Sequence, residues 1–184
     1  MKDHSATTTD ETINRIGNTP TAHYRILDPL RDRLGHEATQ ELGKRTYDAL
    51  QAFTALQGET ITIGWLHPKT KDTVNGRAYS QNRMFCLPAD EYTTNITLYH
   101  ELGHIAIWIR DTEMGEDHPT TSEEYCSIYS VAQMPPKAVD EQRIPYLGKS
   151  PLDTERFPEI CQRALEYREN NRNYIQQCTE WLEI

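Results

Sequence analysis

The 184-residue chain has no run of about 18 apolar residues, so no segment is expected to cross a membrane. Its start, Met1 to Thr12, lacks the apolar stretch of a signal peptide, and the expected location is cytoplasmic. Cys86, Cys126, Cys161 and Cys178 form no C-x-x-C pair, which speaks against a four-thiolate metal site and leaves reduced, buried thiols as the expectation. There is no glycine-rich phosphate loop, no nucleophile elbow and no internal repeat, so phosphate-loop nucleotide chemistry and serine-hydrolase chemistry are not expected. Apolar residues are scarce too. A hydrophobic fraction of 36% and a mean hydropathy of -0.76 imply long polar loops or tails around one modest core.

Positive charge is also in deficit: 19 Lys and Arg stand against 28 Asp and Glu, for a net charge of -9. The imbalance is concentrated in residues 76–184, which hold 18 of the acids and 10 of the bases. A surface of that sign repels phosphate, and no basic stretch interleaved with aromatics is present, so nucleic acid is not expected as a partner.

Against these absences stands one dense motif, His100-Glu101-Leu102-Gly103-His104. On a helix, side chains four apart share a face with about 5–6 Å between Cβ atoms, close enough for two imidazoles to grip one ion. Glu101 leans over the same spot and can reach a water that zinc has acidified to a pKa of about 7. The flanking residues, Ile96 to Tyr99 and Leu102 to Ile109 with the histidines set aside, are apolar nearly all round, as in a helix inside a core. Buried imidazoles and a buried carboxylate need partners, since even a neutral polar group left unpaired costs on the order of 2–7 kcal/mol. Thr93 or Thr94 is placed to cap the helix.

Zinc needs a third protein ligand. A glycine and a third histidine at the metzincin spacing would fall at Ile107 and Arg110, which cannot serve. His118 lies beside Pro119 in a polar loop and reads as a solvated loop histidine. Glu123 is the leading candidate, because it follows Thr120-Thr121-Ser122 and opens a helix expected over residues 123–133. Glu124 is the alternative, with an ordinary role at a helix N-terminus open to it. Ser127, one turn on, is placed to support a ligand.

With these residues in view, the chain resembles glutamate-type zincins. The stretch from His100 to Met134-Pro135 is similar to ImmA/IrrE-type metallopeptidases; Cys126 and Ser127 stand where that pattern has Ala and Asn. The stretch from Gly76-Arg77-Ala78-Tyr79 through Met84-Phe85-Cys86-Leu87-Pro88 to Glu123-Glu124 is similar to the metallopeptidase domain of ArdC-type antirestriction proteins. Either resemblance implies a zinc peptidase fold with His100, His104 and Glu123 as ligands and Glu101 as base.

The expected fold class is α+β: a small mixed or antiparallel sheet on the motif helix, a glutamate helix and C-terminal helices, zincin-like in arrangement. Met1 to Thr21 reads as a disordered tail and residues 22–184 as a single domain. Asp28-Pro29 signals a helix start, and a long helix is expected from near Glu37 to Gln57. Strands are expected at Thr60–Leu66, Arg77–Ser80 and Arg83–Leu87, with Asn75-Gly76 as a turn. Met84–Leu87 is a candidate edge strand for pairing with an extended peptide, although an interior strand fits it equally well. The prolines and glycine between 135 and 158 read as an irregular connector. After it, an apolar helical face runs to Trp181, which is expected to dock on the body. An oxyanion donor besides the metal is also expected, with Tyr79, Tyr99, Tyr125 and Tyr129 as candidates.

The expected function is zinc-dependent hydrolysis of a peptide bond in a protein or peptide, one specific regulatory protein being a narrower form. The alternative is a zincin-fold antirestriction or regulatory protein that acts by contact, its acidic surface presented to a DNA-binding target.

Overall fold

The computed structural model describes residues 22–67, 75–89, 92–170 and 173–183. The expected tail, Met1 to Thr21, lies outside the described residues. Among the described residues the fold is mixed α+β, with five helices and a small mixed sheet.

The chain enters through β1 (His23–Ile26) and turns at Asp28-Pro29 into α1 (Asp28–Ala52). Helix α1 was expected to begin near Glu37. It begins nine residues earlier instead, because Gly35 (φ 77°, ψ 177°) lets a short helical segment join the long one across a kink. Leu42, Thr46, Ala49 and Leu50 form its buried stripe. A 3₁₀ turn at Thr54–Leu56 then leads into β2 (Thr60–Trp65), whose Ile61 and Ile63 are fully buried.

Strands β3 (Arg77–Tyr79) and β4 (Met84–Leu87) complete the sheet in the order β1-β2-β4-β3. The first two pairings are parallel and the last is antiparallel, with Ala78 opposite Phe85. Met84–Leu87 is therefore an interior strand, and the edge beside it is β3. Of the two readings left open for Met84–Leu87 the interior one holds, and burial accords with it: Phe85, Cys86 and Leu87 are all buried, as befits a strand paired on both sides.

Helix α2 (Asn95–Thr112) carries the motif. Thr94 caps it by accepting a hydrogen bond from the Thr97 amide, and Asp140 accepts from the Asn95 amide at 2.8 Å. Helix α3 (Glu123–Ala132) packs against it, capped by Ser122, whose Oγ accepts from the Tyr125 amide. The stretch expected to be an irregular connector contains a small hairpin, β5 (Arg143–Ile144) and β6 (Gly148–Lys149). Helices α4 (Phe157–Glu169) and α5 (Tyr174–Glu183) close the chain. Trp181 docks as expected: its ring lies edge-on to Tyr167 at 5.6 Å, with the Arg163 guanidinium 4.0 Å above it. One cluster of buried apolar side chains runs from Ala22 to Leu182. Among the described residues no helix is long and apolar enough to cross a membrane.

Candidate functional site

The interior of the α2–α3 pair is where polar groups enter the core. His100 and Glu101 are each 5% exposed, and Ser127 and Ser130 are 1% exposed. The helices approach closely because residue 103 is glycine: a methyl group there would overlap Ser130 Oγ and lie 3.3 Å from Cys126 Sγ. Gly103 thus admits the close approach of helix α3.

Three donor atoms converge in this space. His100 Nε2 and His104 Nε2 are 3.2 Å apart, and Glu123 Oε2 is 3.1 Å from the first and 3.0 Å from the second. Tetrahedral ligands with bonds of about 2.0 Å to a zinc ion lie roughly 3.3 Å from one another, so this nearly equilateral triangle fits such an ion. Ser127 Oγ lies 3.2 Å from His100 Nδ1 and fixes which nitrogen faces the triangle. Glu124, the alternative third donor, turns to Ser122 instead, whose hydroxyl donates to it at 3.4 Å.

Cys126 is a second possible third donor. Its Sγ lies within 4.8 Å of donor atoms of both imidazoles. It sits one turn beyond Glu123, is wholly buried and donates to the His100 carbonyl at 3.3 Å. Glu123 Oε2 is nearly equidistant from the two imidazole nitrogens, and the Cys126 thiol stands close to both rings as well.

Charge in the cluster is unbalanced toward the acids. Burial disfavours the His100 imidazolium, yet Cys126 and Glu123 outweigh it and lift its pKa to about 9. At His104 burial is likewise overcome by Cys126 and Glu123, and the pKa rises to about 11. The hydrogen bonds from His100 and His104 hold the Glu123 carboxyl well below the usual carboxylate range. Burial alone would raise the Cys126 thiol, but the two imidazoles bring it down to about 7. Each shift says that the donor set favours positive charge at its centre, which protons or a divalent cation can supply.

Glu101 stands beside the triangle without joining it. Burial raises its pKa, opposed by the two imidazoles and by a hydrogen bond from the Ala78 amide of β3. Gly76 packs flat on it: a Cβ at 76 would lie 2.5 Å from Glu101 Oε1 and 2.8 Å from its Cδ. The Asn75-Gly76 pair, read from the sequence as a turn, therefore also makes room for the Glu101 side chain.

The other residues singled out from the sequence fall elsewhere. His118 is not solvated but 10% exposed, held by Tyr125 Oη at 2.6 Å and Glu116 Oε2 at 2.8 Å. Of the four candidate phenols, Tyr125 is engaged with His118, Tyr129 accepts from Arg110 at 3.3 Å, and Tyr99 is buried against Phe53. Tyr79 lines a shallow groove of about 300 Å³ with Trp108. The phenol at the site is one that sequence reasoning missed: Tyr146, at the hairpin tip, stacks on His100 with ring centroids 5.6 Å apart and planes 25° from parallel. Burial raises its pKa, and Glu123 and Glu101 add to the rise. The one local signal was the Pro145 to Gly148 turn composition, which marks a bend without saying what the bend faces.

No protein family, no curated protein and no solved structure matches this chain.

Proposed function

We propose that the protein is a zinc-dependent endopeptidase with a zincin-like arrangement. The observation that carries this reading is the 3.0–3.2 Å triangle of His100 Nε2, His104 Nε2 and Glu123 Oε2 with a non-ligating carboxylate, Glu101, buried next to it. His100, His104 and Glu123 would hold the ion. When bound, zinc supplies a Lewis acid that acidifies water and polarises a peptide carbonyl. Ser127 keeps His100 oriented, and the close approach of helix α3 at Gly103 sets where Glu123 stands. Glu101, steadied by the Ala78 amide and flanked by Gly76, takes the proton of the attacking water and returns it to the leaving amine. The antiparallel edge strand β3 borders Glu101, which suits an extended peptide laid alongside it.

Glu101→Gln tests this. The variant should keep its metal and its fold while cleavage falls by about 10³-fold or more, since the proton acceptor is gone. Products are read by mass spectrometry after incubating a proteome with wild type or variant, because a substrate limited to one regulatory protein would escape a casein assay. Equal cleavage by the two would remove Glu101 from the mechanism.

A second reading, a regulatory protein acting by contact, draws on the acidic surplus of residues 76–184. The same variant separates the two, because a protein that only binds tolerates the loss of Glu101.

A further inference from the structure

Tyr146 occupies the tip of the three-residue turn 145–147, and three features hold that tip in place. Ile144 is fully buried beneath it, the Leu147 amide donates to the Ile144 carbonyl at 3.2 Å, and the Ser150 hydroxyl donates to the Leu182 carbonyl of α5. The backbone at Tyr146 has φ 62°, a left-handed conformation that a bulky residue adopts only where its surroundings impose it. The result is an aromatic ring laid over His100 while the residue as a whole stays 58% exposed. The ring it lies on is one of the three donors of the triangle. Tyr99, Tyr125 and Tyr129 are committed to the core and to His118 and Arg110, so among those phenols none competes for this position.

We propose that Tyr146 is a catalytic residue of the hydrolysis inferred above, a role that rests on the peptidase reading. Its O–H donates a hydrogen bond to the scissile carbonyl oxygen as that oxygen gains negative charge, and the proton stays on the phenol throughout. A donor aimed at developing charge, on a rigid support and next to the ion's ligands, adds stabilisation that the ground state does not receive.

The test compares wild type, Glu101→Gln, Tyr146→Phe and Tyr146→Ala as zinc-loaded full chains on a proteome-derived peptide library. Wild type is expected to yield products that Glu101→Gln does not. Tyr146→Phe keeps the ring over His100, so its zinc content and melting temperature should match wild type while kcat falls about 10²-fold and KM changes little. Tyr146→Ala should show the same loss in kcat together with weaker zinc retention. Tyr146→Phe turning over like wild type while Tyr146→Ala alone loses metal would make the ring a structural cover and overturn the assignment. A wild type that cleaves nothing would remove the peptidase reading and the role of Tyr146 with it.

Discussion

Near the end of α2, Glu116 sits 2.8 Å from His118 and 2.7 Å from Arg110; midway along the same helix, Glu123 reaches across from α3 to His100 and His104 at 3.1 and 3.0 Å. The residue types are nearly the same, but the bonding differs. In the first cluster a permanent cation is present, His118 spends its second nitrogen on Tyr125, and His118 and Arg110 together hold the Glu116 carboxyl below its ordinary pKa. The donors and acceptors satisfy one another, and the cluster staples the loop between α2 and α3. In the second, three lone-pair donors crowd one point, no Arg or Lys reaches them in the hydrogen bonds and ion pairs among the described residues, and the positive charge must come from protons or an ion. A histidine beside a glutamate is thus uninformative alone; convergence without a protein cation is what supports the proposed metal site.

Breaking one cluster at a time should separate the two roles. Zinc at about 100 times its dissociation constant stabilises a binding protein by about 2.7 kcal/mol, which for a chain of this size is a melting shift of roughly 5–10 °C. Calorimetry should show that shift in wild type and none in His104→Ala. His118→Ala should keep the shift yet start from a lower melting point, because it leaves Tyr125 and Glu116 short of a partner at a cost of about 1–3 kcal/mol. A zinc response lost in His118→Ala and kept in His104→Ala would invert the comparison.

A finer change probes how tightly the two helices define the donor triangle. Gly103→Ala drives a methyl into Ser130 Oγ, and overpacking of this kind costs about 1–3 kcal/mol. Denaturant melts should show that loss, and adding Ser130→Ala, which deletes the oxygen in the way, should recover most of it. No recovery in the double variant would mean that the strain falls on Cys126 or on the backbone.

What the sequence made legible was what short-range physics controls. The i, i+4 spacing of His100 and His104, the Thr94 cap and the Ser122 cap with Glu123 one step behind are all local, and the structure brings those side chains together. What it hid depends on partners far along the chain. Strand β1 has four residues alternating between exposed and half-buried, with no apolar run to announce it, and it exists through its pairing with β2. The interior place of β4 follows from pairing on both sides, which one strand's pattern does not reveal. Tyr146 reaches His100 because a hairpin with two-residue strands is anchored through Ile144 and by Ser150 to Leu182, 32 positions away. No local composition encodes that contact.

In the proposed centre His100, His104 and Glu123 together hold one zinc ion, with the neighbouring thiol of Cys126 outside the set. Zinc stoichiometry after exhaustive dialysis tests it most directly. About one ion per chain is expected in wild type and in Cys126→Ala, and less than about a tenth of that in Glu123→Ala. Full occupancy in Glu123→Ala with loss in Cys126→Ala would contradict it.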